Sequence, residues 1–242
     1  ILMDNQEKGG YTIELIPPIS SPVIGLNVTS ADEEKRKVFS NIKFRQAMSV
    51  AMNRDEINDV AYYGLGKPVQ YTGFSPVPDF VDPKWGSYFI KHDMALAKSL
   101  FDEIGVVDKD GDGFRDLLNG SQLVVNIQYA TQGMPGAVVE LIAQHWNNVG
   151  IKTIFKEVTP DEYRSAQGAN ELDVHMWTTA QPLAIHLGNS DKFLVPFGTY
   201  FGVTNGQLWK QYIDSNGASG LKPPQFVDDL KDGINELQAA VA

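Results

Sequence analysis

Asp108, Asp110 and Asp112 stand at alternate positions of a glycine-punctuated segment, with Asp116 four residues further on. Carboxylates at that spacing can surround a hard cation such as calcium. Counted from Asp108 they fill positions 1, 3, 5 and 9 of an EF-hand-type loop, with Gly113 at the turn position and the Phe114 carbonyl at 7. Position 12, where a bidentate Glu completes such a loop, is Asn119. Calcium takes roughly six to eight oxygens, so a structural calcium here would need water or a further donor. The same residues also read as a polar Asp/Gly turn joining a helix to a strand. No other cofactor is expected.

The remaining reactive residues do not converge. His92, His145, His175 and His186 lack the H-x-x-x-H or H-E-x-x-H spacing of a zinc site, and His145, next to Trp146 on a helix, reads as structural. The chain has no cysteine, which excludes disulfides, thiolate metal sites and a cysteine nucleophile. No G-x-S-x-G elbow, P-loop or G-x-G-x-x-G follows a strand. The pairs Asp102-Glu103 and Asp228-Asp229 fall on exposed helix positions, where adjacent carboxylates face water. The residue chemistry therefore favours recognition over catalysis.

Recognition has better candidates. Trp177 ends a predicted strand, and ligands of open α/β sheets bind beyond the carboxyl ends of strands. An indole there can stack on a sugar face or bury an apolar side chain, or it can cap the core. Thr178 and Gln181 follow it. Phe197, Tyr200, Phe201 and Trp209 crowd a Gly-rich irregular segment, either as a recognition surface or as anchors of a long loop. Of these, Tyr200 and Trp209 are taken as ligand-binding candidates, with Asn27 as a polar contact. Tyr62, Tyr63, Tyr71 and Trp85 read as structural.

The elements that must position these groups follow from periodicity. Short strands are expected at Tyr11–Leu15 and Val23–Thr29, with the charges between Ala31 and Lys37 forming a solvated loop. Ser40 caps a helix burying Phe44, Ala47, Met48 and Ala51. Asn53 and Glu56 form a capping-box start to a second helix, which stops at Gly64. Residues 66–91 are irregular. Asp93 opens a helix through Ala97, Leu100, Phe101 and Ile104, with Gly105 as terminator.

Gln122–Ala130, Lys152–Val158 and Leu172–Thr178 read as strands separated by helices at Pro135–Val149 and from Thr159. The second of these starts with Thr as N-cap, Pro at N1 and Glu at N3. This β-α-β-α-β order predicts a parallel crossover inside an α/β fold, a mixed sheet flanked by helices. Residues 179–222 are expected to be irregular until Pro223-Pro224 open a last helix through Leu230, Ile234 and Leu237.

Composition sets the outer bounds. Of 242 residues 43% are hydrophobic and 21% charged, an ordinary globular balance. A net charge of −10 argues against nucleic acid as a partner, because phosphates require a basic face. No apolar run approaches the length of a membrane span. The opening Ile1-Leu2-Met3 is neither a signal peptide nor a normal start, and both ends are expected to be cut from something longer.

Several segments, in order, resemble the peptide-, nickel- and oligosaccharide-binding family of ABC importer solute receptors, family 5. Asn41 to Ile57 (NIKFRQAMSVAMNRDEI) is similar to that family's "VRQALSYAIDRxxI" helix pair and is followed by Tyr63 to Pro68. His92 to Gly105 is similar to its "DPxKAKxLLxEAG" helix, and Asp108 to Asp116 with Gly120 to its "DxDGDGxRD…G" turn. Ile151-Lys-Thr resembles its "GIxV" strand, Leu172 to Trp177 its ligand-side strand, and Leu208-Trp209 with Gly217 to Pro224 its closing segment.

The resemblance runs from about Tyr11 onward. It implies one lobe, the second, of a two-lobed periplasmic-binding-protein-like receptor, with residues 1–242 as a single lobe and the first lobe missing. It further implies clamshell closure on an oligopeptide or oligosaccharide, docking on a membrane ABC permease, and a periplasmic or extracellular location with a lipid anchor possible on the full-length protein. Peptide-binding members carry a "YPDP"-like stretch after the Trp-bearing strand. Here the segment is Trp177-Thr-Thr-Ala-Gln-Pro182 with no acid before Asp191, which looks more like the oligosaccharide branch. A sensory module of the same fold and a glycoside-acting enzyme are the rival functions.

Overall fold

The computed structural model describes residues 2–14, 20–70, 77–180 and 206–241. Gln6–Gly9 form a single helical turn, α1. Tyr11 to Glu14 are irregular rather than the expected strand, because Gln6 satisfies them: its carbonyl accepts from Tyr11 N and its Oε1 from Ile13 N. Strand β1 spans Ser20–Leu26.

The charged stretch expected to be a loop is a helix, α2 (Glu33–Phe39). Asp32 caps it by accepting from the Glu34 and Lys35 amides, and Val38 and Phe39 are buried. Helix α3 (Ile42–Ala51) starts one residue later than expected, with Asn41 as N-cap accepting from Lys43 N; its Phe44, Ala47, Met48 and Ala51 are buried as predicted. Helix α4 (Arg54–Tyr62) is capped by the Asn53 side chain, which accepts from Glu56 N.

Among the described residues of 66–91 there is one short 3-10 turn, Pro83–Ser87. Gln70 Nε2 donates to Tyr88 O and Ser49 Oγ to Phe89 O, which ties the segment to α3. The buried Arg54 guanidinium donates to Ser49 O, Ser49 Oγ and Ile90 O. Helix α5 (Met94–Glu103) opens on Asp93, whose carboxylate accepts from Leu96 N.

Strand β2 (Val124–Tyr129) passes through helix α6 (Gly136–Asn148) to strand β3 (Lys152–Glu157), and the two strands pair in parallel, Ile127 opposite Phe155 and Tyr129 opposite Glu157. Helix α7 (Pro160–Gly168) carries the full capping box predicted at Thr159 and Glu162 and leads to strand β4 (Val174–Ala180). The β-α-β-α-β order is thus present. Its third strand pairs antiparallel with β1, Val23 opposite Trp177.

Between β2 and β4 side chains take the place of a ladder. The Asp173 carboxylate accepts from Asn126 N and from Lys35 Nζ, and the Tyr163 hydroxyl accepts from Met176 N. Val174 and Met176 point into the main core with Val125, Ile127, Phe44, Phe101 and Ile142; Trp177 points the other way, into a second cluster with Ala130, Tyr163, Ala166 and Leu172. Each such apolar side chain removed from water contributes about 2 kcal/mol.

The region 179–222, expected to be irregular, holds helix α8 (Gln207–Asp214). Helix α9 (Gln225–Val241) follows as predicted, but Val227 and Ile234 are its buried residues, whereas Leu230 and Leu237 remain each about one-third exposed (37%). Among the described residues no helix is long and apolar enough to cross a membrane.

Candidate functional site

The carboxyl ends of β2, β3 and β4 are where an α/β sheet offers ligand contacts. β4 runs on to Ala180, so Trp177 stands in mid-strand rather than at its expected end; its indole is 7% exposed, lies 5.1 Å from the Tyr163 ring and is roofed by Gly133, where a Cβ would collide with it. Its core-capping alternative describes this packing; a solute could reach it only after the 131–134 turn moves. Thr178, next along the strand, is half-buried. Gln181 and Tyr200 lie outside the described residues, as do Phe197, Phe201, Tyr71 and His186.

Two other candidates are occupied by structural work. Trp209 on α8 meets Phe226 edge-on at 6.2 Å and packs with Ile213, Val227 and Ile234, which fastens α8 to α9. Asn27 is engaged inside the lobe. It is 1% exposed; its Nδ2 donates to Asn170 Oδ1 and Leu172 O, and its Oδ1 accepts from Thr29 N and Thr29 Oγ1. Two donors and two lone pairs are the whole capacity of the amide, so none is left for a solute. Asn27 also sits beyond the Leu26–Val174 pair, at the amino end of β4, the opposite pole from the expected ligand edge.

In the acidic loop, one oxygen each of Asp108, Asp110 and Asp116 lie within 4.8 Å of one another, the only such grouping among the described residues. Their lone pairs are largely engaged. Asp108 accepts from Gly111 N and Gly113 N, Asp110 from Asp112 N, and the buried Asp116 from Lys109 N. Asp112 turns away to Gln122 Nε2, and Asn119 accepts from Ser121 N. The Gly111 amide, with help from Gly113, holds the Asp108 carboxyl below its usual range. The loop closes on its own backbone, so these donors fit a turn better than a calcium cage.

His145 and His175 are engaged in structural contacts. His145 Nδ1 accepts from Asn53 N, which places its proton on Nε2, 2.9 Å from Glu56 Oε2. The expected capping box at Asn53 is therefore completed by a ring from α6 rather than by Glu56 reaching the backbone. His175 is buried with Nδ1 3.3 Å from Gln167 Nε2, and burial lowers its pKa to about 4. Asp102 pairs with Arg115 at 2.6 Å, and Asp229 accepts from Gln225 Nε2.

A group missed in the sequence lies at the carboxyl ends of β2 and β3. Tyr129 and Phe155 share the α6 side of the parallel pair with ring centroids 6.4 Å apart. Tyr129 is almost fully buried, and Phe155 is 44% exposed on a strand with no second neighbour among the described strands. The first turn of α6 begins at Gly136, beside the Tyr129 hydroxyl, and its N-cap Pro135 supplies no side-chain acceptor. Alternation could have paired Tyr129 with Phe155, but only the parallel register shows that Phe155 faces α6.

Comparison with known proteins places the chain among relatives. The profile of the bacterial extracellular solute-binding proteins, family 5 (middle region), matches residues 2–200. A probable ABC transporter-binding protein of Deinococcus radiodurans is 35% identical over 135 residues, 55% of this chain and 22% of that protein. A periplasmic alpha-galactoside-binding protein of Rhizobium meliloti is 29% identical over 218 residues, 85% of this chain and 29% of the relative. The structure of an oligopeptide-binding protein, OppA, superposes with a TM-score of 0.84 at 27% identity, covering 98% of this chain and 39% of its own. The chain thus spans less than a third of the curated relatives it matches.

Proposed function

The chain belongs to family 5 of the bacterial extracellular solute-binding proteins, and from that premise we propose that it is one lobe of a two-lobed receptor that captures an oligopeptide or oligosaccharide for an ABC importer. The observation that carries the reading is the superposition of nearly the whole chain on two-fifths of an oligopeptide-binding protein. The other lobe supplies the facing wall of the cleft, and the carboxyl ends of β2, β3 and β4 supply this one. Solute makes contacts to both walls only in the closed form, so binding shifts the population toward closure. The closed form docks on a membrane permease.

Capture needs no bond to be made or broken, and Asp102 and Glu103 are engaged in ion pairs with Arg115 and Lys43. The receptor works outside the cytoplasmic membrane, free or lipid-anchored. The names of the relatives support both solute classes, an alpha-galactoside for one and an oligopeptide for another.

A thermal-shift screen of the complete two-lobed protein against peptides, oligosaccharides and nickel tests the reading. A ligand at a hundred times its Kd stabilises the folded state by about 2.7 kcal/mol, enough to raise Tm by several degrees. One solute class is expected to do so in a concentration-dependent way. Turnover of any solute, or no shift with any of them, would overturn the proposal.

A further inference from the structure

We propose that Phe155, Tyr129 and the first turn of α6 form a subsite for a neutral, hydroxyl-rich ring, a sugar residue of the captured solute; this rests on the solute-capture reading and assigns its ligand chemistry. The N–H groups of Gly136 and Ala137 open α6 and have no partner among the described residues, while those of Val138 and Val139 turn back to Pro135 O. Helix amides without a cap are donors aimed outward with the positive end of the helix dipole behind them.

Beside them the Tyr129 side chain is 94% buried by its 6% exposure, and its hydroxyl makes no hydrogen bond among the described residues. That oxygen lies 3.3 Å from the place a Cβ would take at Gly136, so glycine keeps the space in front of it open. Acceptors complete the set. Glu157 stands opposite Tyr129 in the parallel ladder, and Glu140 lies one turn into α6; burial first, then both carboxylates, raise the Tyr129 pKa, so the phenol stays a donor at neutral pH.

The mixture decides the ligand class. A carboxylate or phosphate would meet Glu140 and Glu157, and an ammonium group would meet the positive end of α6. A hydroxyl both donates and accepts, and so suits amides and carboxylates side by side. The half-exposed Phe155 ring beside Tyr129 offers the apolar face on which the C–H side of a sugar ring rests. Phe155 stands on an edge strand between Ile154 and Lys156, and its ring is 44% exposed while meeting Tyr129 on one side.

The test is calorimetric titration of the complete two-lobed protein with raffinose and mannohexaose as sugar probes and tri-alanine as peptide probe. Three variants are compared: Tyr129→Phe, which removes only the hydroxyl, Phe155→Ala, and Gly136→Ala. The last raises helix propensity, so its Tm should hold or rise while the new methyl crowds the Tyr129 hydroxyl. The expected result is binding of at least one sugar by the wild type, weakened roughly tenfold in each variant. Sugar binding unchanged in all three, or binding of tri-alanine alone, would sink the subsite and leave solute capture standing. No binding of any probe by the wild type, together with a blank thermal-shift screen, would remove the capture reading and the subsite with it.

Discussion

Asn27 commits its whole hydrogen-bonding capacity inside the lobe, and that has a measurable consequence. Asn27→Ala leaves two buried acceptors, Asn170 Oδ1 and the Leu172 carbonyl, and the Thr29 amide donor without their partner. Leaving such groups unpaired costs about 1–3 kcal/mol. A urea titration of the variant should show that loss, with solute affinity of the complete protein unchanged. His175 makes a second prediction at this scale. Burial holds its folded pKa near 4, below the ordinary histidine value. The unfolded chain therefore takes up a proton first as pH falls, so stability is full above about pH 6.5 and declines toward pH 4 by about 1 kcal/mol per pH unit. Denaturation midpoints measured across this window should fall, and His175→Gln, which keeps an amide beside Gln167, should flatten the slope. Depressed carboxylates such as Asp108 add their own loss only lower, as pH drops through their folded values.

Caps show at the scale of elements what could be read ahead of the structure. Asp93, Asn53 and Thr159 each accept from an amide three residues on, a relation contained in a short stretch of sequence, and all three helices start where expected. Removing one, Thr159→Ala, should cost about 1 kcal/mol, read from the same denaturation curves. Helix α8 was illegible because its own N-cap, Gly206, supplies no side chain, and the acceptor for Leu208 N is Thr29 Oγ1, 179 residues away. Its apolar face is only Trp209 and Ile213, completed by α9. Helix α2 was hidden for a related reason: its two buried residues sit together at its carboxyl end, so no period shows, and its third anchor is the Lys35–Asp173 ion pair to the start of β4. The candidate site divides the same way. A strand through Trp177 could be located from sequence, but its continuation to Ala180, the burial of Trp177 under Gly133 and the Tyr129–Phe155 face depend on which elements meet. Thr29→Val should accordingly speed amide hydrogen exchange in α8 while leaving α3 to α6 protected.

The arrangement of the whole molecule limits what this chain can do by itself. Its main core runs from α3 through α6 and both strand pairs, a continuous cluster large enough to fold cooperatively without the rest of the receptor. The ligand edge proposed for it, by contrast, is a single wall on which Phe155 is 44% exposed. In the proposed closed receptor the solute would gain contact free energy from both walls. If each supplies about half, a micromolar complex worth about −8 kcal/mol becomes one of about −4 kcal/mol on this lobe, close to millimolar. The isolated 242-residue chain should therefore melt in one transition by calorimetry, yet bind the solute that the complete protein takes up with an affinity weaker by roughly a thousandfold. Titration calorimetry on both forms decides the matter. Comparable affinities would mean that this lobe holds a self-sufficient pocket, and the division of contacts between two closing walls would have to be abandoned.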